Sequence, residues 1–270
     1  MSADRLFCCS PTTYCTLSRQ EGQERQDNTN TTKALRSVHD AIVSCDRCPR
    51  LRDYCARIAR DKRRAFRDET YWGRPVPGFG DPRARLLIIG LAPAAHGANR
   101  TGRVFTGDGV GGSGDFLMSA LHRAGFANIP TSHAPDDGLR LHDAFIAAAV
   151  RCAPPDNKPT PEEIAACQPH LAAEIVALPR VRVVAALGRI AFDAYLRPLK
   201  HQGVAVAPRP AFGHNVAHRL PNGITVIGCY HPSRQNTNTG KLTARMMDQV
   251  FRVARRSLDR SAKASRPTSA

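Results

Sequence analysis

RLLIIGL, residues 85–91, decides the fold. After its first arginine the run is apolar at every position, so it has no polar face to give to water. A half-exposed strand alternates apolar and polar residues, whereas a parallel strand covered on both faces reads as a continuous apolar run. Three further runs share this character: AFIAAAV (144–150), VRVVAAL (181–187) and ITVIGC (224–229). The alanine-rich AFIAAAV is equally compatible with a helical segment. Between the runs lie helical patterns at 114–124 (GDFLMSALHRA), 160–178 and 189–196. The second opens with Thr160 as N-cap, Pro161 at the first helical position and acids in the first turn. Strands alternating with helices imply an α/β sandwich around a parallel sheet.

The chain of 270 residues, 42% of them hydrophobic, suffices for one sizeable domain. Residues 1–33 are polar and aperiodic and are expected to form a disordered arm, with no defined site at Cys8, Cys9 or Cys15. Residues 257–270 are expected to be a second, basic disordered tail, leaving a domain over 34–256. Thirty-nine Lys and Arg against 23 Asp and Glu give a net charge of +16. That surplus favours a polyanionic partner, nucleic acid before an acidic membrane surface. No run approaches the roughly 18 apolar residues of a membrane span, and no secretory signal heads the chain, so an intracellular place is expected.

The polar sequences that follow the apolar runs are distinctive: APAAHGANRTGRVFTGD after the first, RCAPPDNKP after the second, GRIAF after the third and HPSRQNTNTG (231–240) after the fourth. Ligands of open α/β sheets bind beyond the carboxyl ends of the strands, so four distant segments are expected to converge on one site, with His231 at its edge.

Nine cysteines in a reducing compartment point to ligands or buried thiols rather than disulfides. Cys45-x2-Cys48 and the distant pair Cys152 and Cys167 are candidates for a four-thiolate site, holding either zinc or, better suited to the wide second spacing, a [4Fe–4S] cluster. Cys55 is expected not to be a ligand, and Cys229 to be core. Two other readings stay open: a Rossmann-type nucleotide-binding enzyme using GDGVGGSGDF as a phosphate loop, and a noncatalytic, metal-stapled DNA-binding module.

Taken together, GLAPAAHGANRTGRVFTGD at 90–108, HPSRQNTNTG at 231–240 and the order Cys45-x2-Cys48 … Cys152-x14-Cys167 resemble the uracil-DNA glycosylase superfamily, specifically its iron–sulfur-containing type 5 branch. The resemblance covers about residues 40–255. It implies a three-layer α/β/α sandwich around a four-stranded parallel sheet, and a largely structural [4Fe–4S] cluster on Cys45, Cys48, Cys152 and Cys167. It also implies removal of uracil and some other deaminated or damaged bases from DNA; because no lysine in the motifs is placed for Schiff-base chemistry, a monofunctional glycosylase that leaves an abasic site is expected. The expected partners are double- and single-stranded DNA containing damaged bases, with no membrane. The protein is expected to be a monomer in a bacterial cytoplasm or nucleoid.

Carried onto this chain, the resemblance implies that His231 donates to the leaving base. The place beside the proline that is often Asp or Asn in other branches is Ala92, so the attacking water falls to Asp108 or Asn99, either of which could instead bind loop backbone. Phe105 is expected to stack on the extruded base, and the backbone of Gly90, Leu91, Ala92, Pro93 and Ala94 to read its edge. The type 4 branch carries an asparagine four residues before the third cysteine; here that residue is Ala148, which implies a looser pocket. Arg234 or Gln235 is expected to fill the gap in the stack, and Ser233, Asn236, Thr237 and Lys241 to hold phosphates.

Overall fold

The computed structural model describes residues 11–107, 109–201 and 203–264. Each of the four apolar runs is a strand: β2 (Leu86–Gly90), β3 (Ala144–Ala148), β4 (Val183–Leu187) and β6 (Thr225–Cys229). They pair in parallel in the order β3-β2-β4-β6. The short strands β1 (Phe79–Gly80) and β5 (Ala217–Arg219) add an antiparallel edge on each side, so the sheet has six strands rather than four. Neither edge strand was legible. Two or three residues carry no periodicity, and β5 is largely exposed.

Side-chain alternation along the parallel strands sends two sets of apolar residues to opposite faces. Leu86, Ile88, Ala144, Ile146, Val183, Ala185, Ile227 and Cys229 pack beneath α4 (Ser113–Arg123) and α8 (Ala244–Ala264). Leu87, Ile89, Phe145, Ala147, Val184, Ala186 and Val226 pack on the face covered by α5 (Pro161–Ala177) and α6 (Arg189–His201). The result is a three-layer α/β/α sandwich. Both faces are dry, which is why the strand sequences lack alternation. α5 starts as expected: Glu163 N–H donates to Thr160 Oγ1 (3.3 Å), and Thr160 N–H to Glu163 Oε2 (2.8 Å).

Two boundaries differ from those expected. The arm assigned to 1–33 falls, from residue 11, within one helix, α1 (Pro11–Val43). Its last turns carry Leu35, packed against the α5 and α6 core, and the fully buried Ile42. A helix nucleated by that packing extends cheaply through the Gln, Glu and Arg that precede it. Residues 1–10, with Cys8 and Cys9, lie outside the described residues. At the other end, the tail drawn from 257 begins inside α8, whose Met247, Val250, Phe251, Ala254 and Leu258 form one buried stripe at helical spacing. Ser257 is buried with them, its hydroxyl donating to Val253 O (2.9 Å). Asp259 and Arg260 are exposed on the outer face of that helix. Among the described residues, no helix is long and apolar enough to cross a membrane.

Candidate active site and thiol pocket

β2 has β3 on one side and β4 on the other, so the chain leaves the sheet in opposite directions from these neighbours and opens a crevice above their carboxyl ends. β2 ends there in glycine, and a glycine directly follows β4. At Gly90 a Cβ would lie 2.7 Å from the Phe105 ring, so the ring rests directly on the strand end. Gly188 follows β4 with φ +102°, donates its N–H to Cys229 O (2.7 Å), and lies beside His231, whose Cβ would be 3.7 Å from an added methyl. The loop after β2 and the loop after β6 therefore meet across β4. The Phe105 and His231 rings are 6.1 Å apart between centroids, with planes inclined by 31°.

Both rings are held from behind. Phe105 adopts φ +52°, a conformation costing a non-glycine residue of order 1 kcal/mol. Its carbonyl presses on Gly114, where a Cβ would approach the oxygen to 2.3 Å. Below it, Arg103 fixes the loop: Nε donates to Thr106 Oγ1 (2.8 Å), and Nη2 to Asp137 Oδ2 (2.7 Å) and Ser132 Oγ (3.2 Å). Arg100 donates to His96 O (3.0 Å) and Gly107 O (3.0 Å) and pairs with Glu69. These two buried arginines lie inside the motif yet were missed. Charge alone reads as surface, and nothing in one sequence marks the carbonyls they satisfy. His231 is pinned through its carbonyl, which accepts from Asn236 Nδ2 (2.8 Å). Burial pushes its imidazole down to about 4, so the ring is neutral near pH 7. No described residue hydrogen-bonds its ring nitrogens.

The segment from Gly90 to Ala94 runs along the opposite wall. Gly90 O accepts from Ala149 N (2.9 Å), Leu91 O from Val150 N (2.9 Å), and Ala94 O from Asn99 N (3.0 Å). Pro93 is buried and Leu91 and Ala94 partly so. Ala92 packs away from the ring pair, against the cluster of Leu51, Cys55, Val150, Cys152 and Cys167. Phe105 and His231 are thus brought together, whereas Ala92 forms the partition between them and the cysteines. Asn99 is fully buried in the short helix α3 (Ala98–Thr101). Its Nδ2 donates to Cys55 O (3.4 Å) and Ala95 O (3.3 Å), and its Oδ1 has no partner among the described residues. It holds loop backbone. Asp108 lies outside the described residues. Ala148 is 3% exposed and pairs with Gly90 in the sheet register, on the same face as Phe105.

The stretch expected to be a loop after HPS is the one-turn helix α7 (Arg234–Asn238). Ser233 caps it, accepting from Asn236 N (3.4 Å), and the Thr237 hydroxyl donates to Ser233 O (3.2 Å). Both hydroxyls thus serve the turn itself. Arg234 and Gln235 are exposed, and Arg234 Nη2 approaches Gly109, at 3.6 Å from where a Cβ would lie. Lys241 Nζ sits 5.3 Å above the Tyr230 ring.

Cys45, Cys48, Cys152 and Cys167 line a single pocket with Leu51 and Arg52. They come from the turn after α1, the start of α2 (Pro49–Asp61), the loop after β3, and α5. Arg50 locks α2 to α5 through a bidentate pair with Glu163 (2.8 and 2.7 Å). Two donors point at sulfur: Arg151 N to Cys167 Sγ (3.2 Å) and Arg52 Nη1 to Cys152 Sγ (3.9 Å). Arg151 is itself tied to buried Glu174, which accepts from Gly78 N (2.9 Å). Burial pushes the Cys48 thiol up and that of Cys167 up to about 11. A four-thiol donor set with N–H groups aimed at sulfur fits an iron–sulfur cluster in chemistry. Among the described residues, no group of three or more His, Cys, Asp or Glu is gathered closely enough for one metal ion. Cys55 is not among the pocket lining; its Sγ approaches Ala153 O (3.6 Å). Cys229 is core, as expected.

Residues 77–255 match the family model described as Uracil DNA glycosylase superfamily. Among curated proteins, the chain is 52% identical over 219 residues to the type-5 uracil-DNA glycosylase of Mycobacterium bovis, covering 80% of each. It is 52% identical over 224 residues to that of Mycobacterium leprae, covering 83% of this chain and 95% of the relative. To that of Thermus thermophilus it is 51% identical over 215 residues, covering 80% and 94%.

Proposed function

Because the chain belongs to the uracil DNA glycosylase superfamily, we propose that it hydrolyses the N-glycosidic bond of uracil in DNA. It leaves an abasic site and does not cleave the strand. The observation that carries this reading is the Phe105–His231 pair at the crevice between β2 and β4: an aromatic platform beside a neutral, rigidly held hydrogen-bond donor.

Breaking the C1′–N1 bond leaves cationic character on the sugar and negative charge on the departing base. The target is extruded from the stack and laid on Phe105. His231, neutral near pH 7, then donates a ring N–H to the base O2 as charge builds there. A neutral donor suits this task, because it stabilises the anion without requiring a proton to be held near pH 7 by a group whose pKa is near 4. The backbone of Gly90, Leu91, Ala92, Pro93 and Ala94 lines the base edge, small side chains permitting close approach. Asp108 takes the water on the sugar side, where a carboxylate both accepts its proton and opposes the cationic sugar. Asn99, whose amide is committed to backbone, positions the loop.

Cys45, Cys48, Cys152 and Cys167 would hold a [4Fe–4S] cluster, which ties the start of the domain to the loop after β3 and to α5. The protein acts on double- and single-stranded DNA, in a bacterial cytoplasm or nucleoid, as a monomer. Arg234, Gln235 and Lys241 supply DNA contacts. With Ala148 where an asparagine would select uracil, the pocket also accepts bases such as hypoxanthine or ethenocytosine. Incubation with oligonucleotides carrying each base, then alkali, tests all of this: alkali-labile sites are expected with uracil and with at least one other base. Absence of release from the uracil strand overturns the reading, and strict uracil specificity overturns the loose pocket.

A further inference from the structure

Among the described large apolar side chains Val110 is the most exposed, at 88%; Val176, on the outer side of α5, follows at 70%. It lies near the crevice, in the run that joins Phe105 to α4. The run is braced rather than loose. Gly107 N donates to Ser132 O (2.9 Å), Gly111 N to Asp115 Oδ2 (3.1 Å), and Ser132 N to Asp115 Oδ1 (3.1 Å). Gly112 N closes a turn on Gly109 O (2.9 Å), with Gly111 at φ +69°, so Val110 occupies the corner of a four-residue turn. Gly109 faces the Arg234 guanidinium of the opposite loop. An exposed valine flanked by glycines on a fixed corner, beside a cation and five residues from the aromatic platform, is covered by none of the described residues.

We propose that Val110 is the wedge that enters the DNA stack when the target base leaves it; this rests on the glycosylase reading above. The reasons are chemical. A vacated step in duplex DNA is an apolar slot between two base faces, which a branched aliphatic side chain fills and which a hydrated guanidinium or amide fills poorly. The glycines at 109, 111 and 112 leave the corner no bulk besides the valine, so it can pass between neighbouring base pairs. Arg234, which the sequence suggested for the wedge, is left to the flanking phosphate. A wedge serves duplex substrate, where stacking must be broken and its gap refilled, and matters far less where the base is already unpaired.

The test is single-turnover uracil release by the full chain from a duplex and from a single strand of the same sequence, for wild type, Val110→Ser and Val110→Leu. Val110→Ser is expected to lower the ratio of duplex to single-strand rates at least about tenfold, a fraction of the cost of unstacking one step, and Val110→Leu to restore it. A ratio unchanged by Val110→Ser overturns the wedge while leaving the glycosylase intact. Wild type that releases uracil from neither substrate overturns the underlying activity, and the wedge with it.

Discussion

The Phe105 ring lies on Gly90 so closely that a single methyl there would stand 2.7 Å from a ring carbon. The last residue of a buried strand thus sets the height of the Phe105 ring, the proposed platform for the base.

Gly90→Ala therefore displaces Phe105 and its 6.1 Å relation to His231. Single-turnover uracil release is expected to fall about tenfold or more, since small misplacements near the chemistry cost on that scale. The double variant Gly90→Ala, Phe105→Ala regains the lost stability but no activity. A Gly90→Ala enzyme with the wild-type rate would contradict the stacking role.

His231→Gln removes the donor to the leaving base and is expected to slow release by roughly 10²-fold, the scale of a lost oxyanion donor. Because burial lowers the pKa to about 4, the His231-dependent part of the rate is flat from pH 6 to 8 and falls only as pH approaches 4. A pH profile of single-turnover rates checks this; a step near pH 6.5 that disappears in the variant would contradict it.

His170, 6% exposed and likewise lowered to about 4, bears on stability. Its folded pKa lies below its unfolded value of about 6.5, so the unfolded chain binds the extra proton between those limits. The stabilisation is complete above pH 6.5 and is lost as pH falls towards 4, by on the order of 3 kcal/mol. Thermal melts at pH 7 and pH 5 are expected to differ, and His170→Leu to narrow the difference.

Asn99 and Asp108 are expected to separate by readout. Asn99→Ala removes the donor to Ala95 O and a second donor to the helical Cys55 O, and should cost about 1–3 kcal/mol in a melt. Asp108→Ala should leave the melt nearly unchanged and slow base release at least about tenfold. If neither variant slows release, the water has another holder.

Serine at Cys45, Cys48, Cys152 or Cys167 is expected to abolish brown colour and bound iron and to lower Tm, because the pocket joins α2, α5 and the loop after β3. Cys229→Ala, in the sheet core, is expected to retain both colour and iron. Iron and visible absorbance that survive in Cys48→Ser would remove that residue from the ligand set.

The parallel core was legible because burial on both faces erases polar alternation, and RLLIIGL, VRVVAAL and ITVIGC each show it. AFIAAAV resolved as a strand only through pairing with β2. The site was legible as residue types at strand ends. Its support was not: Arg100 and Arg103 read as surface charge until carbonyls and carboxylates from distant segments surround them. The two ends of the chain misled for one reason. Composition at 11–33 and 257–264 is that of a solvated tail, but both stretches belong to helices anchored by Ile42 and Leu258.

Gly90 and Ala148 are rungs of the same ladder. Glycine is imposed at the first by the aromatic roof; the second carries a buried methyl. On the proposed reading, a change at Ala148 alone alters which lesions are accepted while platform, donor and thiol pocket are inherited whole. A repair catalyst arranged this way widens or narrows its diet without relearning how to fold.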